Sequence, residues 1–419
     1  MLTLQARHRL DIRFRDFAYG LAACAWALHA ERLTSELEAA WSAGGLGLAC
    51  RSVRSGFHLL LCELALPAGA EVLVSAVTHP DMVRILEAHG LVAVPVDLDL
   101  ATLAPRLELA EKLVTDRTRA ILVAHLFGGR VDIEPVAAFA RQHRLLLWED
   151  CAQAFTSPDD AGDMRADVSM YSFGALKTCT ALGGALLEVR SPSLLVRMRR
   201  TQATWQPQQR RAYLAVVLKF LVFRVVTLPL GYGLLARGHK AFRRDFDRLV
   251  NSSVRAFRPG ELLPQLEVKP SAPLVAMLAY RLRTFDAARL SRRAAAGQSL
   301  AARITSQFAH HLVLPGHRMA PHTHWLFPVV SSRPDELIQA CRRAGIDAAR
   351  GASSVSVVAP PSGRPEAKAA GRMMGGLVFM PAYPELSHRA LAGLVPAIES
   401  SVSKPTTWPE TGSRRLRQA

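Results

Sequence analysis

Cysteine is scarce in this 419-residue sequence, and its pattern excludes several classes of protein. The six cysteines contain no CxxC pair and lack the density of a disulfide scaffold. We therefore expect reduced thiols, no metal centre and a cytoplasmic protein. The first residues, MLTLQARHRLDIRF, carry charges where a signal peptide needs an apolar run, so secretion is not expected.

Acidic residues are also few: 35 Asp and Glu stand against 52 Lys and Arg, a formal charge of +17. Such a surplus suits nucleic acid, an anionic membrane surface or phosphorylated small molecules, although scattered arginines fit a merely Arg-rich protein equally well. The sequence has no zinc-finger spacing, RRM signature or basic block interleaved with aromatics, so we expect no nucleic-acid partner. Half of the residues are apolar, which predicts a mostly folded chain.

Short apolar runs alternate with helix-like stretches between about residues 45 and 190. The runs are rich in Val, Ile and Leu without polar alternation, which predicts strands buried on both faces. They read EVLVSAV, LVAVPVDLD, RAILVAHLF, RLLLWEDC, VSMYSF and GALLEV. Helix patterns such as FHLLLCELA and HPDMVRILEAHG lie between them, the second ending on Gly90. This order predicts an α/β fold with a mostly parallel sheet and ligands beyond the strands' carboxyl ends.

The rest of the chain divides by composition. We predict an N-terminal helical segment at 1–44, a large domain at 45–270, a smaller C-terminal α+β domain at 271–405 and a tail at 406–419. Within the small domain, HTHWLFPVV and GLVFMPAYP are strand-like, RPDELIQACRRAGI and SHRALAGLVPAIESSV are helix-like, and ASSVSVVAPPSGRPEAKAAG is typical of a loop.

Three local patterns suggest chemistry, although each has an ordinary alternative. Lys177 lies in a turn after the run VSMYSF, where a confined amine can be deprotonated, yet most lysines are solvated surface groups. Asp150 ends a strand, with Gln153 three residues later; a carboxylate there can face a pyridine nitrogen or simply cap a helix. The stretch RSGFHLL leads into a helix whose N–H groups can bind a phosphate, or is only a turn.

Taken in order, the motifs resemble one family. The succession SG-helix, AVTHPDMV, PVDLD, VAHLFGG, WEDCAQAF and SFGALKTCTALGG is similar to the DegT/DnrJ/StrS-type sugar aminotransferases, which are fold-type I enzymes dependent on pyridoxal 5′-phosphate (PLP). The resemblance resumes downstream and covers about three quarters of the chain. It implies the PLP-transferase fold of type I, with a large domain around a mostly parallel sheet and a smaller α+β domain.

The resemblance implies roles for individual residues. Lys177 would hold PLP as a Schiff base and shuttle the proton, and Asp150 would pair with the pyridine nitrogen. Gln153 would contact the ring hydroxyl, and Ser172, five residues before the lysine, would bind the phosphate.

The remaining implied positions lie earlier in the chain. Backbone groups of Gly56 and Phe57 would join Ser172 at the phosphate. His79 stands where the family stacks an aromatic ring on the pyridine, with a buried structural histidine as the alternative. We expect His125 to support its strand end and not to enter the site.

The sequence also departs from the family pattern. Phe57 replaces a threonine of the phosphate loop, the glutamate of the usual TTGEGG is missing from residues 180–184, and the Asn-x-Arg stretch that reaches a neighbouring subunit is not evident. The implied activity is transfer of an amino group from an amino acid, such as glutamate, to a keto-sugar, by a homodimer. The alternatives are a lipid-like acceptor, or a membrane-recruited PLP-binding regulator without turnover.

One segment is foreign to the family pattern. Residues 213–236 form an apolar insertion, extended to about 248 by basic residues, whose length fits a bilayer span. Its fourteen Leu, Val and Phe residues favour insertion by roughly 4–8 kcal/mol, whereas Lys219 and Arg224 together oppose it by about 5–7 kcal/mol. Spanning is therefore near neutral. A helix lying in an anionic membrane interface and a helix packed inside a soluble enzyme both stay open.

Overall fold

A computed structural model describes residues 10–226, 262–350, 354–383, 393–396 and 398–399. The strands are β1 Gly47–Cys50, β2 Glu71–Ser75, β3 Val77–Thr78, β4 Val92–Val96, β5 Thr118–Ala124, β6 Leu146–Asp150, β7 Val168–Ser172, β8 Ala185–Val189, β9 Gln206–Pro207, β10 Val268–Lys269, β11 Leu312–Val313, β12 Phe327–Ser331, β13 Ser356–Val357 and β14 Leu377–Met380.

The described helices fall between these strands and at the N-terminal end of the described chain. They are α1 Phe14–Ala25, α2 Ala30–Trp41, α3 Val53–Leu64, α4 Pro80–Ala88, α5 Leu107–Ala110, α6 Ile133–Gln142, α7 Pro192–Thr204, α8 Arg210–Val226, α9 Ala272–Arg283, α10 Ala287–Phe308, α11 Pro334–Arg343 and α12 Lys368–Gly376. Residues 263–265 form one turn of 3₁₀ helix.

A seven-stranded sheet in the order β1-β8-β7-β6-β5-β2-β4 is the centre of the fold. Strands β7, β6, β5, β2 and β4 pair in parallel, while β8 runs antiparallel to both of its neighbours. All six predicted apolar runs are strands of this sheet. The predicted α/β class with a mostly parallel sheet is confirmed.

Alternate residues of each strand serve two different cores, which explains the continuous apolar runs. On one face Val72, Leu122 and Trp148 pack with α3, α4 and α7. On the other face Leu73 and Ile121 pack with α6 and with the later strand β14. Because both faces are covered, no polar alternation remains in the sequence.

Local capping sets where α3 and α4 begin. The Ser52 hydroxyl accepts a hydrogen bond from the Ser55 N–H (3.1 Å), so α3 starts at Val53, two residues before the Ser-Gly pair. At α4 the ring of His79 caps the helix by accepting from the Asp81 N–H, and Pro80 occupies the first turn. The predicted end at Gly90 is confirmed, since its φ of +72° is the left-handed conformation that favours glycine.

The C-terminal part has its own small antiparallel sheet, β11-β12-β14, packed with α10 and α11. The predicted strands at HTHWLFPVV and GLVFMPAYP and the helix at RPDELIQACRRAGI are confirmed. The prediction of a loop over 352–371 is wrong in part. Within this range β13 pairs with β3, and α12 begins at Lys368. Most of the helix predicted over 387–402 and all of the 406–419 tail lie outside the described residues.

The limits of the two domains stay a prediction. Helix α9, just after the expected boundary at 270/271, packs against α1, α2 and α8, and not on the small sheet. Within the 1–44 segment, the described residues include helices α1 and α2.

The apolar insertion is described as far as residue 226, and there it is helix α8. Its inner face packs against α1 through Tyr213, Val217, Phe220 and Phe223, all buried. Its outer face leaves aliphatic side chains in solvent: Leu218, Val222 and Val225. Among the described residues, none of the helices has both the length and the apolar content needed to cross a membrane. Residues 227–248 of the predicted insertion lie outside the described chain.

Candidate active site

The predicted reactive residues meet at the carboxyl edge of the sheet, as the parallel order of β6 and β7 requires. Asp150 is the last residue of β6 and Ser172 the last of β7. Lys177 lies in the turn between β7 and β8, where its N–H donates to the Gly174 carbonyl (2.9 Å). The same turn is closed by hydrogen bonds from Ala181 and Gly183 to the Phe173 carbonyl, which fix the position of the lysine.

Lys177 has the environment of a reactive amine. It is partly buried, and its Nζ lies 4.4 Å from the centre of the Trp325 ring. Burial lowers the pKa of Lys177 to about 8, against the opposing effect of the Asp150 carboxylate and with a further lowering by Arg54. A neutral amine is the form that adds to a carbonyl carbon, so this site favours the nucleophile.

Asp150 is a buried carboxyl group next to that amine. Burial raises its pKa, while the hydrogen bond from the Ala152 N–H (3.0 Å) and the charge of Lys177 lower it. A tight turn follows β6, and in the described chain the next helix is α7, at 192–204. The alternative interpretation of Asp150 as a helix cap is therefore wrong.

Gln153 and His125 occupy the same edge but differ in role. The Gln153 side-chain oxygen accepts from the Phe127 N–H (2.9 Å), so its NH₂ is the end that can donate to a ligand. His125 is buried, with Nε2 donating to Glu149 (2.8 Å) and Nδ1 accepting from the Val131 N–H (3.0 Å). His125 thus braces the loop after β5, as the sequence predicted.

The predicted phosphate contacts at Gly56 and Phe57 fall inside helix α3. The Gly56 N–H donates to the Ser52 carbonyl (3.0 Å), and the Phe57 ring is buried edge-on against Trp148. Because α3 starts at Val53, the N–H groups at its open end belong to residues 53–55 and not to Gly56 or Phe57. Ser172, by contrast, lies beside the lysine turn, where its hydroxyl accepts from the Gly174 N–H (3.4 Å).

Arg54, in the first turn of α3, is a residue that the sequence analysis missed. Its Nη1 donates to Asp81 (2.8 Å), which also accepts from Arg84 (3.0 Å). Its charge lowers the pKa of Lys177, so it lies close to the amine. The sequence signal for Arg54 is its position two residues after Ser52, a small residue able to cap a helix, which places its cationic side chain in the first turn.

His79 lies at the start of α4 beside this cluster. Its Nδ1 accepts from the Asp81 N–H (3.2 Å), and its side chain is 28% exposed. His79 is therefore not a buried structural histidine, which was the alternative interpretation. Its stacking on the cofactor stays a prediction.

An arginine-lined cavity of about 230 Å³ adjoins the lysine. Six arginines and two aspartates line it, and it shares Asp11, Arg289 and Arg293 with the cleft that contains Lys177. Arg289 donates to Asp11 (2.6 Å), while Arg293 donates to the Thr323 carbonyl (2.9 Å) and the Thr178 hydroxyl (3.0 Å). Arg289 thus ties α10 to the N-terminal segment, and Arg293 ties α10 to the lysine turn.

These residues fit PLP. An amine that loses its proton readily suits the aldehyde, and a buried carboxyl group at the strand end suits the ring nitrogen. Ser172 and the first turn of α3 offer hydroxyl and N–H donors for a phosphate.

Comparison with known proteins agrees with this geometry. Residues 31–218 match the sequence model of the DegT/DnrJ/EryC1/StrS aminotransferase family. A GDP-perosamine synthase from Caulobacter vibrioides is 28% identical over 217 residues, a match that covers 51% of this chain and 58% of that protein. The chain thus spans little more than half the length of this relative.

Solved structures share the fold over nearly the whole chain. The aminotransferase TlmJ from Streptoalloteichus hindustanus superposes with a TM-score of 0.68 at 17% identity, over 96% of this chain and 99% of that one. NtdA from Bacillus subtilis, solved with bound PMP, superposes with a TM-score of 0.61 at 16% identity, over 93% and 83% of the two chains.

The predicted fold type and the predicted cofactor are those of this group of enzymes, whose members depend on PLP. The matched residues contain the sheet, the lysine turn and the strand-end carboxylate. Residues 31–218, a little under half of the chain, are thus similar to the DegT/DnrJ/EryC1/StrS aminotransferase family.

Proposed function

We propose that this protein is a PLP-dependent aminotransferase that moves an amino group from an amino acid, such as glutamate, to an anionic keto-sugar. The observation that carries the proposal is the Lys177 amine, with a pKa of about 8, beside the Asp150 carboxyl and the Trp325 ring. An ordinary surface lysine has neither the lowered pKa nor this enclosure.

Each residue of the site has a definite task. PLP, when bound, supplies an electron sink for the pair of electrons left at the substrate carbon. Lys177 Nζ is the base that takes a proton from that carbon and returns it. The Asp150 carboxylate holds a proton at the ring nitrogen. Trp325 covers the amine and limits the access of water.

The charge around the cleft supports an anionic acceptor. Six arginines less two aspartates leave the adjoining cavity with a formal surplus of four positive charges. Guanidinium groups bind phosphate and carboxylate with paired hydrogen bonds, so a phosphorylated sugar or nucleotide sugar suits this cavity better than a neutral lipid does. The curated relative named above is a GDP-perosamine synthase, which is consistent with such an acceptor.

A half-reaction tests the activity without knowledge of the acceptor. Mixed with glutamate, the purified protein should convert its bound PLP to the pyridoxamine form, which is followed by loss of the visible absorption band. Lys177→Ala should abolish the conversion, and Lys112→Ala, a change at an exposed lysine, should not. A protein that binds PLP but leaves the band unchanged with glutamate and other amino acids would instead be the regulator without turnover.

We also propose that the outer face of α8 rests on an anionic membrane surface. Leu218, Val222 and Val225 are 46–63% exposed and recur at helical spacing on the side away from α1. Lys219, next to them, is exposed as well. Phe220 and Phe223 do not belong to this face, because both are buried against the protein.

Cosedimentation with liposomes tests the membrane proposal. Changing Leu218, Val222 and Val225 together to Ser should reduce binding to anionic vesicles strongly, because it removes the aliphatic surface. Replacing exposed Val196 of α7 by Ser is the matched control and should have no effect. Protein that stays in the supernatant with anionic vesicles at low salt would show that this face has another role.

The homodimer implied by the family resemblance is likewise a proposal. Sedimentation velocity should give a species of about twice the 45.7 kDa chain mass. A monomer that completes the half-reaction would contradict a site shared between subunits.

A further inference from the structure

Two histidines and a cysteine converge at a point that the aminotransferase chemistry does not use. His58 and Cys62 are four residues apart in α3 and so share one face of that helix. His89 caps the end of α4. The candidate ligand atoms of the three residues all lie within 4.8 Å of one another.

Their spacing is close to that of a tetrahedral zinc site. His58 Nδ1 lies 2.9 Å from His89 Nε2, and Cys62 Sγ lies 3.8 Å from His58 Nδ1. Zinc bonds of about 2.0–2.1 Å to nitrogen and 2.3 Å to sulfur place two nitrogens about 3.4 Å apart and a nitrogen and sulfur about 3.5 Å apart. These two pairs need to move by about 0.5 Å or less, and the third pair, His89 with Cys62, lies within 4.8 Å.

The surroundings orient His58 as a ligand. Glu267 Oε1 lies 3.4 Å from His58 Nε2, the ring nitrogen away from His89. A carboxylate there holds the proton on Nε2 and leaves the Nδ1 lone pair for a metal, an arrangement common around metal-bound histidines. The ring of His58 is also stacked on Trp205, with 15° between the planes and 5.7 Å between the centres.

We propose that His58, Cys62 and His89 bind a zinc ion. Thiolate and imidazole together favour Zn²⁺ over Mg²⁺ or Ca²⁺, which prefer oxygen ligands. His58 is buried, whereas Cys62 is exposed and leaves a path by which the ion enters and water completes the coordination. The expectation of no metal centre rested on the absence of CxxC pairs. That criterion does not detect ligands that two different helices contribute.

The site would join α3 to α4. The first turns of the two helices are already joined by the Arg54–Asp81 hydrogen bond, so a metal farther along them would tie together the same two elements, of which α3 borders the proposed cofactor site. The inference stands apart from the aminotransferase proposal, because zinc binding does not require turnover.

Metal titration of the untagged full-length protein tests the site. After treatment with a chelator, the protein should bind one equivalent of Zn²⁺, and Co²⁺ in its place should give the near-ultraviolet thiolate-to-cobalt absorption band. Cys62→Ser should remove that band and weaken Zn²⁺ binding at least tenfold. The controls are Cys341→Ser, at a buried cysteine of the small domain, and His143→Ala, at a histidine paired with Glu111; neither should change either signal.

Glu267→Gln separates a metal site from a simple hydrogen-bonded cluster. It leaves all three ligands in place, yet loss of the carboxylate next to His58 should weaken Zn²⁺ binding by about 10–100-fold. Circular dichroism establishes that each variant is folded. If the wild-type protein binds no stoichiometric zinc, or binds it equally well after Cys62→Ser, the proposal is wrong.

Discussion

Replacing Asp150 by asparagine removes the charge that favours the protonated form of Lys177, whereas replacing Arg54 by methionine removes a charge that opposes it. The two variants should therefore move the pKa of Lys177 in opposite directions from its value of about 8. Asp150→Asn should lower it and Arg54→Met should raise it. The shift caused by Asp150→Asn should be the larger of the two, because the Asp150 carboxylate acts on the amine more strongly than Arg54 does.

The size of the effect follows from the difference between about 8 and the ordinary lysine value of 10.5. At pH 7 a lysine with a pKa of 8 is neutral in about 10% of molecules, roughly 300 times the fraction of an ordinary lysine. The same difference corresponds to about 3 kcal/mol, since one pKa unit equals about 1.4 kcal/mol. That free energy is the approximate cost of holding a charged Lys177 in the folded, cofactor-free site.

The sign of the stability effect is fixed by the lowered pKa. The folded protein binds this proton less tightly than the unfolded chain does, so the stability associated with Lys177 is present above pH 10.5 and is lost as the pH falls through about 8. Lys177→Met should thus stabilise the cofactor-free protein by up to about 3 kcal/mol at pH 7. Near pH 10.5 it should have little effect.

Competitive labelling with acetic anhydride between pH 6 and 11, read by mass spectrometry, measures the pKa directly in protein freed of cofactor. The exposed Lys112 in the same digest serves as the internal reference for the extent of acetylation. Arg54→Lys is the control variant that keeps the positive charge. Urea unfolding at pH 7 and pH 10.5 measures the stability of the methionine variant. The reasoning is refuted if Asp150→Asn and Arg54→Met move the inflection of Lys177 in the same direction.

Three further predictions concern the same site. Asp150→Asn should retain PLP but lose most of the half-reaction rate with glutamate, because an amide cannot hold the ring proton; a rate equal to wild type would leave Asp150 without that role. Gly128→Ala should destabilise the protein by about 2–3 kcal/mol in urea unfolding, since Gly128 has φ +100° and an added Cβ would lie 2.4 Å from the backbone nitrogen of Trp325. The control is Gly371→Ala, which should not destabilise the protein because an added Cβ there meets open space. His79→Ala should weaken PLP retention in dialysis by about 1 kcal/mol if the ring stacks on the cofactor, and unchanged retention would leave His79 only a helix cap.

Local pattern was enough to predict the strands of the central sheet, whereas for Asp150 and Lys177 it left ordinary alternatives open and only the family resemblance implied their roles. The strands could be identified because each is buried on both faces and so reads as a continuous apolar run. Asp150 and Lys177 could be placed at one edge because β6 and β7 run in parallel and end there. These inferences depend on short segments and on the general geometry of parallel sheets.

The remaining features were missed for two reasons. The start of α3 depends on a local cap that was overlooked: the Ser52 hydroxyl accepts from the Ser55 N–H, and this removes Gly56 from the open end of the helix. Other features depend on distant contacts. The apolar content of α8 was evident, but only its contact with α1 determines that Phe220 faces inward and Val222 outward. Periodicity is weak there because both faces of the helix are apolar.

Trp325 is the clearest case of a residue of the candidate site that sequence alone leaves out. It lies 148 positions after Lys177, yet its Nε1 donates to the Leu176 carbonyl (2.8 Å) and its ring covers the amine. Gly128 permits this approach, because any side chain there would meet the Trp325 backbone. Burial is the main cause of the lowered pKa of Lys177, and part of that burial comes from this ring. The lowered pKa of the lysine is therefore a property of the assembled chain, in which a glycine after β5 and a tryptophan before β12 act together on one amine.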